Sequence, residues 1–442
     1  MRNLIYILKW LIRRVLLVKK ELKNLYQIVV YQPQSRFLLS ADVPNLCPLE
    51  PIKFYSFWGR VGFAFREFLA LISNGIIFKK QILLDGFDNI DVKKLYEIGR
   101  DNIPHPKPPL VELEKSKKID DSVFKTIQKS YTLANDNDPD RFDRASWWEE
   151  MSRAFKDELF DQDGNINQEY LINFRGIKEL PANLVKDQFL VVNKDFGYFI
   201  SYLKSIDLLL EYHRHAKIVK KEILFSLSES YAGNNLCVNY RGVRLSIRLL
   251  FHSIMVDNIL SNTQLPKRAV IWEIGAGYGG LARILKSYIP NSCHIILDLP
   301  ETLTYASYFI AYNFPDKKIA YLSDIIDRLD EFDRLIDEYD FIIIPPWISP
   351  YIPDDSIDLV IDTYSMSEMS KVYAKYYLKH IDRTLKVEGY FYSINKRFKR
   401  EDDKYAFYEW QFESEFTTIL YEYSKYLHPQ WLGKKIDKNK NL

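Results

Sequence analysis

The sequence predicts an α/β chain: a mixed, mostly parallel sheet with helices on both faces at the C-terminal end, preceded by a largely helical region. Three observations predict it. From Lys267 onward, apolar runs of strand length alternate with segments of helix length, the pattern of a parallel sheet covered on both faces. The first such run, Val270-Ile271-Trp272-Glu273-Ile274, passes into Gly275-Ala276-Gly277-Tyr278-Gly279-Gly280 and then into the helical Leu281-Ala282-Arg283-Ile284-Leu285. The glycines let the backbone turn sharply and approach a ligand closely, because they carry no Cβ. The second run, His294-Ile295-Ile296-Leu297, ends in Asp298, about the separation at which a Rossmann-like unit sets an acid against a ribose.

The elements follow in chain order. Residues 1–112 form a first region whose role the sequence leaves open. Residues 1–20 are apolar but interrupted by Lys9, Arg13, Arg14, Lys19 and Lys20, so the segment is far short of a spanning helix. No small-residue cleavage site follows, which argues against a signal peptide. Two readings stand: a helix lying on an anionic membrane surface, or an amphipathic helix packed on protein. Residues 54–80 are aromatic-rich and helical in pattern. Pro104, Pro106, Pro108 and Pro109 break the chain, and Lys115-Ser116-Lys117-Lys118 has the composition of a solvated linker.

Residues 113–262 form the second, mostly helical region, with helices expected from Ser146, over 198–227 and over 246–260. The third region, 263–442, is the sheet. Its expected strands are 269–273, 294–298, 318–322, 357–362 and 388–394. Its expected helices are 280–289, 301–312, 324–337 and 367–385. Residues 409–426 are placed to supply an antiparallel pair.

Composition bounds the function. The 442 residues are enough for two or three packed units. A net charge of +2 gives no footprint for bulk nucleic-acid binding. Cys47, Cys237 and Cys293 show neither metal spacing nor a disulfide framework, so a reducing cytoplasm is the expected compartment, with a peripheral inner-membrane contact left open by residues 1–20. The 31 tyrosines and 27 phenylalanines suit sugar platforms, but an AT-rich genome yields the same bias.

Several segments carry a chemical reading beside a bland one. The run from Asp161 to Asn167 is calcium-loop-like, but the glycine register puts Leu159 and Tyr170 where oxygen ligands belong, so a turn is the better reading. His213 and His215, two apart, cannot share a helix face. The run from Glu229 to Asn235 is either a turn or a loop folding over a ligand. Ile342 to Ile348 offers Trp347 as a stacking platform or simply packs in the core. Ser365-Met366-Ser367-Glu368 matches a Ser-x-x-Glu capping box, yet Glu368 is also the carboxylate best placed after the fourth strand to act as a base. His380 lies three turns further along, too distant for that role.

The glycine turn satisfies two fingerprints. Gly275, Gly277 and Gly280 fit a dinucleotide turn. Glu273, Gly275, Gly277 and Gly279 fit an acid-x-Gly-x-Gly-x-Gly pattern that resembles motif I of the class I S-adenosylmethionine-dependent methyltransferases. Leu297-Asp298-Leu299-Pro300-Glu301-Thr302 and Ile357-Asp358-Leu359-Val360-Ile361-Asp362-Thr363 resemble the second and fourth motifs of that family. With Ser365-Met366-Ser367-Glu368-Met369, they resemble the bacterial sugar O-methyltransferases found with surface-polysaccharide genes. The likeness covers about 225–395, extends weakly to Tyr170-Leu171-Ile172-Asn173-Phe174-Arg175, and is silent on the first 110 residues. Asp362-Thr363 departs from it, an asparagine being expected before the threonine.

The resemblance implies a class I methyltransferase core at 263–442 and a helical region at 113–262 that shapes the acceptor pocket. It implies that S-adenosylmethionine is held by Glu273, Gly275, Ala276, Gly277, Tyr278, Gly279, Asp298 and Leu299, with Asp324 either reaching the adenine or capping a helix. Glu368 and Asp362 are the candidate catalytic residues. The acceptor is a hydroxyl on a nucleotide sugar, lipid-linked glycan or polysaccharide. A lipid or small-metabolite methyltransferase and a non-catalytic partner protein stay open, as do magnesium held near Asp362 and the oligomeric state.

Overall fold

The computed structural model describes residues 119–138, 146–161, 163–175, 223, 228–233, 238–240, 243–395, 409–423 and 429–436. All belong to one compact unit spanning 101–191 and 204–442. The expected amphipathic segment 1–20, the helix 54–80, the proline break, the linker, all but one residue of the helix 198–227, and His213 and His215 lie outside the described residues.

The upstream part is helical where its caps say so. Helix α1 (Asp121–Asp136) starts at Asp120, whose side chain accepts from the Ser122 amide. Helix α2 (Ser146–Leu159) follows. Asp161 Oδ1 then accepts from the amides of Asp163 and Asn165, and Gly164 takes a φ of 78°, so this segment is a self-contained turn. Asn167 caps the short α3 (Gln168–Ile172) through the Tyr170 amide. No strand is expected in this mostly helical region, but Val238–Tyr240 (β1) and Val243–Leu245 (β2) form an antiparallel hairpin. Ser246 caps α4 (Ile247–Asn262) through the Leu249 amide.

The sheet has eight strands. In chain order they are β3 (Val270–Ile274), β4 (Cys293–Leu297), β5 (Ile319–Ala320), β6 (Phe341–Ile344), β7 (Ile357–Thr363), β8 (Leu385–Ile394), β9 (Phe416–Tyr423) and β10 (Pro429–Lys435). Their spatial order is β5-β6-β4-β3-β7-β8-β10-β9. The first six run parallel, and β10 pairs antiparallel with both β8 and β9. This is a Rossmann-like core, closed by the expected antiparallel pair. That pair spans 416–435 rather than 409–426.

Two corrections concern the middle of the sheet. No strand is expected over Phe341-Ile342-Ile343-Ile344, part of the run read as a stacking platform or core packing, yet it is a buried parallel strand between β5 and β4. The expected helix 324–337 is broken into α7 (Leu322–Ile325), a 3-10 segment kinked at Arg328, and α8 (Phe332–Glu338).

The crossover helices are α5 (Gly280–Tyr288), α6 (Pro300–Asn313) and α9 (Lys371–Thr384). Helix α6 is buried from Pro300 to Ala311, because the upstream helices cover the face that would otherwise meet solvent. Phe124 of α1 stacks on Tyr308, and Phe155 of α2 meets Tyr305 edge-on. Among the described residues no helix is long and apolar enough to cross a membrane.

Candidate active site

In an open α/β sheet, ligands bind beyond the carboxyl ends of the strands where the strand order reverses. Here that point lies between β3 and β7, since chain order runs outward from β3 to β4 on one side and to β7 on the other. The turns after these two strands meet. A Cβ on Gly275 would collide with the Ser365 side chain, so only glycine admits this approach. Ser365 Oγ lies 3.0 Å from the Ile274 carbonyl and 2.5 Å from Asp362 Oδ1.

The glycine turn has φ of 69° at Gly275, 58° at Gly277 and 81° at Gly279, values that side-chain-bearing residues rarely adopt. Its amides are largely spent within the chain. Gly275 and Ala276 donate to the Leu297 carbonyl, Gly277 donates to Asp298 Oδ2 at 2.7 Å, and Gly279 donates to Ala276. A Cβ on Gly277 would meet nothing within 4 Å, so open space lies on that side.

Two buried carboxylates flank the turn. Glu273 is 3% exposed, and its Oε2 has no hydrogen-bond partner. Burial and the neighbouring Asp298 push its pKa up to about 8, against the Ala282 amide in the first turn of α5. Asp298 is 9% exposed. Burial raises its pKa to about 7, although the amides of Gly277 and Leu299 and the Thr302 hydroxyl favour its charge. A helix N-terminus normally attracts phosphate. This one already faces a carboxylate of its own chain.

The other predicted residues divide. Leu299 is half-buried beside Asp298, where it begins α6. Ala276 and Tyr278 are buried, and the Tyr278 ring packs on Phe174, Phe309 and Arg175. Tyr278 thus lends the open side only its backbone. Asp324 is exposed, and its carboxylate accepts from the Tyr321 amide at 3.0 Å. That is the capping alternative of the two expected for it.

Asp362 is wholly buried with both oxygens engaged. Oδ1 takes Ser365 Oγ and the Met366 amide, and Oδ2 takes Asn395 Nδ2. Burial raises its pKa to about 6 against these bonds. It therefore holds the turn after β7, with no oxygen left unbonded. The capping box between Ser365 and Glu368 does not form. Ser365 is committed to the Asp362 network, and Met366–Glu368 is a 3-10 turn ahead of α9. Glu368 is half-buried in that turn, next to Ser367, whose buried Oγ has no partner.

His380 accepts from Arg383 Nε within α9, away from these turns. Trp347 donates to the Ala134 carbonyl of α1, so its polar edge is held by that helix. Among the described residues no group of three His, Cys, Asp or Glu side chains could hold a metal ion.

The structure adds Asn395, Arg175 and Glu229. Asn395 bridges Asp362, Ser393 and the Ser367 amide. Arg175 and Glu229 pair behind Tyr278 at 3.0 Å. No spacing rule could find a pair 54 residues apart, although both lie in segments singled out for other reasons.

No family model matches this chain, and no curated protein matches it. Solved structures similar to it include a SAM dependent methyltransferase from Aquifex aeolicus, with 12% identity, 41% of this chain, 89% of that chain and a TM-score of 0.27. Another is phosphoethanolamine N-methyltransferase 1 of Haemonchus contortus in complex with phosphoethanolamine and S-adenosylhomocysteine, with 15% identity, 42% of each chain and a TM-score of 0.28. A third is phosphoethanolamine N-methyltransferase 2 of the same organism in complex with S-adenosyl-L-methionine, with 16% identity, 32% of this chain, 28% of that one and a TM-score of 0.24. This chain thus spans less than half the length of the two nematode enzymes. The functional reading rests on the site itself.

Proposed function

We propose that this protein is an S-adenosylmethionine-dependent methyltransferase whose acceptor is a sugar hydroxyl. One observation carries the donor: the glycine turn is flanked by its own buried carboxylates, one with an unpartnered oxygen. Such a site favours a cationic ligand bearing hydroxyls over a pyrophosphate, because a cation stabilises the ionised form of the buried acids and an anion does not. The turn amides are also committed internally, whereas a dinucleotide turn needs them for phosphate.

Glu273 serves the ammonium end, Asp298 the ribose hydroxyls, and Gly275, Gly277 and Leu299 line the approach. When bound, the cofactor supplies a methyl group on a sulfonium. Glu368 accepts the proton of the acceptor hydroxyl, and Asp362 with Asn395 holds the turn that carries it. Residues 113–262 shape the acceptor pocket. The sugar class is supported by the resemblance of the segments ending at Ser365–Met369 and by a polar, serine-containing turn at that place.

Calorimetric titration with S-adenosylmethionine and, separately, NADH, repeated on Asp298→Ala, tests the donor. Binding of the first alone, weakened in the variant, is the expected result. Binding of NADH alone would overturn it. Radiolabelled methyl transfer to nucleotide sugars beside lipid extracts then tests the acceptor, with Glu368→Gln expected to abolish turnover while retaining cofactor binding.

A further inference from the structure

Arg175 and Glu229 form an ion pair whose side chains are 1% and 3% exposed. Desolvating two charges costs about as much as their attraction returns, so stability alone is a weak account of such a pair. Its surroundings are specific. Glu229 Oε1 accepts from Arg175 and from the Ser230 amide, Oε2 accepts from Ser246 Oγ at 2.5 Å, and Arg283 Nη2 of α5 lies 4.0 Å away. Burial works against the Glu229 charge, but the two guanidinium groups and Ser246 hold its carboxyl well below the usual range.

The other face of Arg175 is spent on the glycine turn. Its Cζ sits 4.7 Å from the centre of the Tyr278 ring and 5.6 Å from that of Phe309, and Nη2 reaches Tyr278 Oη at 3.4 Å. The Arg175 amide donates to Gly233, and a Cβ on Gly233 would strike Phe174 and Arg175. Arg283 Nη1 donates to the Ser228 carbonyl. Segments 170–175 and 228–233 therefore hold the turn from one side, while Asp298 holds Gly277 from the other. Tyr278 lies between two glycines of positive φ, where the backbone has most freedom to lose.

We propose that Arg175 and Glu229 are positioning residues for the glycine turn: the buried pair fixes Tyr278, so that the upstream region sets the affinity of the turn for its cofactor without touching it. The affinity part rests on the methyltransferase reading; the ordering of the turn does not.

Hydrogen exchange of the ligand-free full chain tests the ordering, comparing the peptide over 275–281 with β4 as internal reference in Glu229→Gln, Arg175→Lys and Tyr278→Leu. Arg175→Lys keeps the charge but loses the planar fork and the stacking, so it serves if Glu229→Gln fails to fold. Exchange in the turn is expected to rise about tenfold or more, with β4 unchanged. S-adenosylmethionine affinity, by calorimetry, is expected to fall about tenfold or more in each variant, with Arg175→Lys/Tyr278→Leu no weaker than the worse single change.

Unchanged exchange in the turn, or an equal rise in β4, would reduce the pair to an ordinary structural tie and overturn the proposal. So would a loosened turn with undiminished affinity. A wild-type protein that binds no S-adenosylmethionine, together with variants that loosen the turn selectively, would sink the cofactor reading and sustain the positioning role.

Discussion

Glu273 is a carboxyl group whose place in the ligand-free chain disfavours its charge. With its pKa pushed up to about 8 by burial and by Asp298, the folded chain holds a proton that the unfolded chain releases at an ordinary carboxyl value. The stability this proton confers is complete below that ordinary value. It is lost as pH rises, until the folded group also ionises near 8, at about 1.4 kcal/mol per pH unit at most. Glu273→Gln is expected to flatten this slope and to stabilise the ligand-free protein at pH 8 by on the order of 1–3 kcal/mol, while losing cofactor affinity. Urea unfolding of both proteins at pH 5 and pH 8 checks the sign. Equal slopes would remove Glu273 as the titrating group. The glycines make a second contrast. Gly275→Ala meets both a positive φ and the Ser365 side chain, so unfolding should show a loss of about 2–4 kcal/mol. Gly277→Ala meets only the φ penalty of about 1–2 kcal/mol. Its methyl enters the open side, so its larger effect belongs in the S-adenosylmethionine Kd.

Elements were legible where a local signal marked them. Ser246 announces α4, and the acid and glycines after 270–274 announce the β3-to-α5 turn. Strand β6 was missed because four apolar residues buried on both faces carry no alternation, and the prolines after them suggest a loop. The break in 324–337 was missed because its apolar spacing survives the kink at Arg328. At the turn after β7, the sequence could point to Asp362 but not to its partner, since Asn395 arrives from the end of β8 through tertiary structure alone. Asn395→Ala would leave an oxygen of a fully buried carboxylate unpaired and free the Ser367 amide. We expect a loss of about 2–4 kcal/mol in unfolding by denaturant, with S-adenosylmethionine affinity largely kept and turnover reduced, because the turn that carries Glu368 loosens. Undiminished stability would mean that Asp362 finds another donor.

At the scale of the whole unit, the readable part is the part written in consecutive residues: strand, acid, glycine turn, helix. What joins segments far apart, such as Arg175 with Glu229 or α1 with α6, leaves no spacing to read, because burial and charge compensation are settled only when the chain closes on itself. The acids around the turn then act on the folded protein as one system. Glu273 and Asp298 have pKa values raised to about 8 and about 7, so near neutral pH the ligand-free site retains protons. A cationic ligand favours the ionised carboxylates, so binding must release protons, and affinity must rise with pH up to the upper of the two values. A ligand that binds only the folded state stabilises it by RT ln(1 + [L]/Kd). The thermal shift produced by a fixed concentration of S-adenosylmethionine is therefore expected to grow from pH 6 to pH 8.5, even as the ligand-free protein becomes less stable. Calorimetry in buffers of different ionisation enthalpy should show net proton release near pH 7. A shift independent of pH would mean that binding leaves the protonation of the two carboxylates unchanged, and would overturn their part in drawing in a cation.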